Sequence, residues 1–173
     1  TNLLTFPDTL NGGAGNDLII GGLGADTIDG SAGNDTASYN DGRTTMVRVN
    51  LATGVQESSS NGGITWIAED ALFSVENVIG SAFNDIITGD ANANMLSGSA
   101  GNDTLNGGAG DDILNAGGST GSTVQSLSGG LGADTFIFDL NDGFFKTYVG
   151  DFKVAESDML NFKGVPDLAS LDA

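Results

Sequence analysis

Residues 12–38 read Gly12-Gly13-Ala14-Gly15-Asn16-Asp17-Leu18-Ile19-Ile20, then Gly21-Gly22-Leu23-Gly24-Ala25-Asp26-Thr27-Ile28-Asp29, then Gly30-Ser31-Ala32-Gly33-Asn34-Asp35-Thr36-Ala37-Ser38. Each nonapeptide carries glycine at positions 1, 2 and 4 (Ser31 is the exception), aspartate at 6 and an apolar residue at 8. Glycines grouped in this way allow a turn with φ values closed to other residues. The last three residues alternate out, in, out, as a short strand does. A turn and a strand repeated at fixed phase predict an all-β solenoid with two repeats per coil. A flexible glycine linker has no reason to hold an aspartate and an aliphatic in register.

The pattern G-G-x-G-x-D-x-U-x resembles the RTX, or hemolysin-type, calcium-binding nonapeptide repeat. The resemblance implies a parallel β-roll that binds several Ca²⁺ ions in its turns. Composition agrees with such a chemistry. The chain has 23 acidic and 5 basic residues and a formal charge of −18. Only Glu57, Glu69, Glu76 and Glu156 are glutamate, so 19 of the 23 acids are aspartate, a short carboxylate that suits a hard cation. There are no cysteines and no histidines, which removes disulfides, thiolate sites, the commonest zinc ligand and the commonest general base. No stretch approaches the length of a membrane-spanning helix, and the acidic surface repels nucleic acid and anionic lipid. The start at Thr1, without a leader, reads as a piece of a longer protein.

Four segments follow from the phase. Residues 3–38 form the first run, with Asp8, Asp17, Asp26 and Asp35 at nine-residue steps and Leu10, Ile19, Ile28 and Ala37 as the inward series. Residues 39–70 interrupt it. Val47, Val49 and Leu51 mark one half-buried strand, and Ile64, Trp66 and Ala68 a second, with Trp66 as the anchor of a β insertion. A segment like Val49-Asn50-Leu51-Ala52-Thr53-Gly54 recurs between repeat runs in the resembled family. Residues 71–137 resume the repeat with Glu76, Asp85, Asn94, Asp103 and Asp112 at position 6. The stretch 116–128 is degenerate and about four residues too long, with Ser122 where the acid is due, before Asp134 closes the run. Residues 138–173 hold Phe144, Phe145, Tyr148, Phe152, Leu160 and Phe162 and all three lysines, and read as a C-terminal cap over an open end coil.

In a two-repeat coil, residue i lies beneath i+18 at about 4.8 Å. Asp17 then stacks under Asp35, Asp8 under Asp26 and Asp85 under Asp103, while the longer coil brings Asp112 to Asp134. Two carboxylates ~5 Å apart repel by roughly 3 kcal/mol at an effective dielectric near 20, and a divalent cation reverses the sign. The resemblance implies the ligand set: carbonyls at positions 2 and 4 with the aspartate at 6 below, and carbonyls at 1 and 3 with the aspartate above. These are Gly13, Gly15 and Asp17 with Gly30, Ala32 and Asp35, and Gly108, Gly110 and Asp112 with Gly129, Leu131 and Asp134. Ser81, Phe83 and Asp85 pair with Gly98, Ala100 and Asp103, where Phe83 threatens the turn. Weaker sites join Asp8 to Gly21, Leu23 and Asp26, and Asn94 to Gly107, Ala109 and Asp112. Asp151 and Asp158 complete a last site in the closing segment.

The resemblance further implies a non-catalytic module of a secreted or bacterial cell-surface protein, exported by a type I system and folding in extracellular calcium. Gly117-Gly118-Ser119-Thr120-Gly121 matches a nucleophile-elbow pattern, yet no histidine exists to activate Ser119. The alternative is a carbohydrate-binding or adhesion module, like the repeat modules of alginate epimerases, for which Arg43, Arg48 and the lysines are the raw material and polysaccharide or a cell surface the partner.

Overall fold

The computed structural model describes residues 6–115, 117–118, 123–139 and 145–163. Most strands of the solenoid proper are short because each contributes one inward apolar side chain before the next glycine turn, while the strand Thr123–Leu131 runs to nine residues. The strands are β1 (Thr9–Ala14), β2 (Leu18–Ile19), β3 (Thr27–Ala32), β4 (Thr36–Ser38), β5 (Met46–Asn50), β6 (Val55–Ser59), β7 (Ile67–Phe73) and β8 (Asn77–Ile79). They continue as β9 (Ile86–Thr88), β10 (Met95–Ser97), β11 (Thr104–Ala109), β12 (Ile113–Asn115), β13 (Thr123–Leu131), β14 (Thr135–Asp139), β15 (Phe145–Val149) and β16 (Met159–Lys163).

Two sheets face each other. One has nine strands in the order β1-β3-β7-β6-β5-β9-β11-β13-β15, the other seven in the order β16-β14-β12-β10-β8-β4-β2. All pairings are parallel except β5–β6 and β6–β7. The protein is a parallel β-roll, with Leu10 stacked under Ile28 and Leu96 under Leu114 at the expected 18-residue step. The degenerate stretch lengthens one coil, so Leu105 meets Leu127 and Leu114 meets Phe136.

The core is a single file of inward residues from each sheet. Ile87, Leu96, Leu114, Leu127 and Phe136 are completely buried, and Ile28 and Leu105 nearly so. Each such side chain contributes roughly 1.5–3 kcal/mol. One per strand is a thin core for a chain this charged.

The glycines of the turn divide into two kinds. Positions 2 and 4 take positive φ: Gly13 at 96° and Gly15 at 117°, Gly108 at 107° and Gly110 at 111°. Position 1 does not, and its glycine is required by space instead. A Cβ on Gly12 would come 2.8 Å from Oδ2 of Asp17, and one on Gly21 2.6 Å from Oδ2 of Asp26. The turn is therefore wound around the carboxylate of its own repeat.

Several expectations are corrected. The second strand of the insertion is β6, not the segment around Ile64, Trp66 and Ala68. Ile64 and Ala68 are exposed and Trp66 is half-buried, so Trp66 anchors no core. The inward residues of β6 are Gln56 and Ser58, which an apolar alternation cannot reveal. They are tolerated because the Gln56 side-chain oxygen accepts the Asp70 amide at 3.3 Å and the Ser58 hydroxyl donates to Glu69 at 2.5 Å. Asp70 lies outside the insertion: Ala71 and Leu72 pair with Thr27 and Ile28, so Asp70 is the position-6 residue stacked on Asp26. In the degenerate stretch that position belongs to Gln125, since Ser126 pairs with Thr104; Ser119 and Ser122 lie outside the described residues. The C-terminal segment continues the winding, with β15 on β13 and β16 on β14. Phe138 stacks on Phe162 at 5.2 Å and Phe136 meets Phe152 at 6.3 Å. Leu160 and Phe162 stay about half exposed, so the described part of this segment is itself an end coil; Phe144 and the residues from 164 on lie outside the description.

Candidate metal centres

The position-6 side chains form two ladders, one along each turn edge. The first runs through Asp8, Asp26 and Asp70 and, beyond the hairpin, Asp85, Asp103 and Gln125. The second runs through Asp17, Asp35, Glu76, Asn94, Asp112, Asp134 and Asp158. One hydrogen bond recurs on both. At most rungs the backbone N–H donates to one side-chain oxygen of the rung above: Asp8 to Asp26 at 2.8 Å, Asp17 to Asp35 at 2.8 Å, Asp26 to Asp70 at 2.9 Å and Asp85 to Asp103 at 2.9 Å; Glu76 instead donates to the Asp35 carbonyl. Asn94 donates to Asp112 at 2.8 Å, Asp112 to Asp134 at 3.0 Å and Asp134 to Asp158 at 3.1 Å. Asp35 donates to Glu76 and Asp103 to Gln125 in the same manner.

That bond uses only one oxygen of each carboxylate. Oδ2 of Asp17, Asp26, Asp35, Asp70, Asp103, Asp112 and Asp134 is buried and has no hydrogen-bond partner. A buried carboxylate oxygen without a donor costs far more than an exposed one. Burial pushes the carboxyl of Asp103 up to about 8, that of Asp112 to about 7, and that of Asp134 upward as well. Seven orphaned hard-oxygen ligands, six of them packed against the first glycine of their own turn, fit a calcium-type cation. Among the described residues no three acidic side chains converge on one point. An inter-rung space offers two carboxylates at most, and only one where Asn94 or Gln125 is a rung, so further oxygens must be carbonyls.

The rungs differ in how open their ligands are. The Asp17–Asp35 and Asp112–Asp134 rungs stack the aspartates expected of them, with orphaned oxygens above and below, and the Ala32 and Leu131 carbonyls accept the Gly15 and Gly110 amides at 2.9 and 2.8 Å. Asp85 is different. Its Oδ1 accepts the Val47 amide and the Ser81 hydroxyl at 2.8 Å each, and its Oδ2 accepts the Ser81 amide at 2.6 Å. Phe83 does not take positive φ, so this turn is closed on Ser81, whose hydroxyl also accepts the Phe83 amide at 3.1 Å. Asn94 is likewise satisfied, accepting from Asp90 and donating to the Glu76 carbonyl at 2.8 Å each. Asp151 accepts from the Gly129 and Gly130 amides and the Ser128 hydroxyl, and Asp158 also accepts the Lys153 amide at 2.7 Å.

Asp70 and Gln125 are ladder members that the repeat reading overlooked. Asp70-Ala71-Leu72-Phe73 and Gln125-Ser126-Leu127-Ser128 both keep the second half of the motif, which is the signal that could have found them. Gln56 offers no such signal, because it enters through an antiparallel strand.

The sequence model of one family, the RTX calcium-binding nonapeptide repeat (4 copies), matches residues 5–37, 75–105 and 88–121. These are RTX calcium-binding repeats. The RTX matches take in the ladder residues from Asp8 to Asp35 and from Glu76 to Asp112, and leave unmatched 38–74, where β5 and β6 enter the sheet, and 122–173. No curated protein matches the chain. Among the described residues no helix is long and apolar enough to cross a membrane.

Proposed function

We propose that the chain is a non-catalytic module that folds on binding several Ca²⁺ ions, with ions held between successive windings. The observation that supports this reading is the row of orphaned Oδ2 atoms. The ligands of the best-formed rung are Asp17 with the Gly13 and Gly15 carbonyls and Asp35 with the Gly30 and Ala32 carbonyls. At the late rung they are Asp112 with Gly108 and Gly110 and Asp134 with Gly129 and Leu131. Calcium supplies there the positive charge that two buried carboxylates lack. The chain's own part is to aim those oxygens into one turn and to offer carbonyls whose identity tolerates Ala32 and Leu131.

Each ion bound only by the folded chain stabilises it by about 2.7 kcal/mol at a hundredfold excess over Kd. Extracellular calcium modules bind at roughly 10⁻⁴–10⁻³ M, a range that separates a cytosol from the outside of a cell. Several such sites make a chain that stays open before export and folds after it. This suits a module of a larger secreted or surface protein leaving through a type I system. The test is circular dichroism of the full chain in EGTA and in millimolar calcium. β-signal that grows with calcium is expected; an equally stable β-fold in excess EGTA refutes the reading. The carbohydrate-module alternative has less support, since the Arg48 guanidinium already lies over the Trp66 ring at 4.7 Å and pairs with Glu57.

A further inference from the structure

Between the windings that carry Asp26 and Asp70, a cation is already in place, and it belongs to the protein. The Arg43 side chain is 1% exposed. Its Nη2 donates at 2.8 Å to the carbonyl of Gly22, the position-2 residue of the lower turn. In the calcium reading this carbonyl is a metal ligand. The other end of the guanidinium reaches the upper winding, with Nη1 3.8 Å from Glu69, next to Asp70. Asp41 holds the group from the side through Nε at 3.1 Å and Nη2 at 2.8 Å, and the Tyr39 ring lies 4.7 Å beneath it. The guanidinium makes no hydrogen bond or ion pair with Asp26 or Asp70, whose Oδ2 atoms stay orphaned, so it acts on the rung through its charge and through the Gly22 carbonyl. The charged groups facing the space are thus two ladder carboxylates, Asp41, Glu69 and one arginine.

The contact to a position-2 carbonyl recurs once, on a more exposed side chain, since Lys153 is 41% exposed. At the last described rung, Lys153 Nζ donates at 3.0 Å to the carbonyl of Gly130, again a position-2 residue, and at 3.1 Å to Glu156. The ladder pair there is Asp134 and Asp158. Among the described residues no side chain donates to Gly13 or Gly108, the position-2 carbonyls of the best-formed rungs. Two of the chain's 5 basic residues therefore meet one class of backbone acceptor.

We propose that Arg43 takes the place of calcium at the Asp26–Asp70 rung, and Lys153 its place at the Asp134–Asp158 rung, so that these joints close without metal. The proposal rests on the calcium reading of the other rungs. Arg43 stands at the base of the inserted hairpin, where the acidic ladder is broken by Gln56 and β5. A fixed charge there keeps the halves of the roll joined when calcium is absent. The guanidinium cannot dissociate, whereas a calcium ion leaves as its concentration falls.

Hydrogen exchange of the full chain tests this through three equivalent amides. Ala71 donates to Asp26, Thr36 to Asp17 and Thr135 to Asp112, each across one winding. In EGTA, Ala71 is expected to exchange at least about tenfold more slowly than Thr36 and Thr135, with all three slow in calcium. Ala71 losing protection together with the other two overturns the proposal while leaving the calcium reading intact. If calcium changes none of the three and no ion is taken up in equilibrium dialysis, the calcium reading itself fails, and the proposal with it. Arg43→Met is expected to make Ala71 protection depend on calcium and to raise uptake by about one ion per chain; unchanged uptake and protection also overturn it. Should Arg43→Met fail to fold even in calcium, Arg43→Lys decides: its retained charge is expected to keep Ala71 slow in EGTA, and fast exchange there counts against the substitution.

Discussion

Acid should do part of what calcium does. Burial raises the carboxyl of Asp103 from 3.8 to about 8, against which the hydrogen bond from the Asp85 amide and the repulsion of Asp85 are smaller effects. A carboxylate whose pKa is higher in the folded chain than in the unfolded one binds more protons when folded. Its contribution to stability is then largest below about pH 4 and declines as pH rises toward 8. Between pH 8 and pH 5 the Asp103 shift alone corresponds to roughly 4 kcal/mol in favour of the metal-free fold. Asp112, raised to about 7, and Asp70 and Asp85, raised to about 6, act in the same direction. Urea unfolding in EGTA followed by circular dichroism measures the effect directly. The midpoint should rise on acidification, and the calcium concentration needed for folding should rise with it, because protons and metal compete for the same oxygens. Asp103→Asn should flatten the slope. A metal-free midpoint that is level, or falls, between pH 8 and 5 refutes the claim that uncompensated buried carboxylates hold the apo chain open.

Other perturbations separate the ladder from its surroundings. In calcium, Asp112→Ala should lower the melting temperature far more than Asp90→Ala, because Asp90 only tethers Asn92 in an exposed turn; equal losses mean the repeat frame is wrong. Leu105→Ala, at a nearly fully buried position, should cost about 2–5 kcal/mol in calcium-saturated urea unfolding. Ser31 holds φ at 71°, so Ser31→Gly should stabilise the calcium-bound chain by roughly 1 kcal/mol, read from the same curves. Gly12→Ala should weaken calcium uptake in a dialysis assay, since its Cβ would come 2.8 Å from Oδ2 of Asp17 and displace that carboxylate; uptake equal to that of the unaltered chain means that the Asp17 turn holds no ion.

The parallel roll and the stacking of Asp17 on Asp35 and of Asp112 on Asp134 were legible because one period fixes both the inward aliphatic and the turn acid. Where the period fails, so does the reading. β6 buries Gln56 and Ser58, polar residues stabilised by partners far away in sequence, and no alternation of apolar residues marks such a strand. Asp70 was hidden by its neighbours rather than by its own signature, since the glycines before it are replaced by the end of the hairpin. Ser81 is expected to offer a carbonyl, and its amide and hydroxyl in addition donate to both oxygens of Asp85 and close the turn on it. Only atomic placement shows that difference, because a turn able to satisfy its own aspartate looks in sequence like one waiting for an ion.

The hairpin also has a mechanical consequence. Two strands enter one sheet between β7 and β9, while β8 and β10 remain adjacent in the other. One side of the stack is therefore longer by about 10 Å, two strand spacings, at a single level. A pile of coins with a wedge pushed in from one edge leans toward the opposite edge, and this rod should do the same, with an elbow at β5 and β6 rather than a straight axis. Anything tethered beyond either end is then aimed off-line by a feature encoded in some thirty residues near the middle of the repeats.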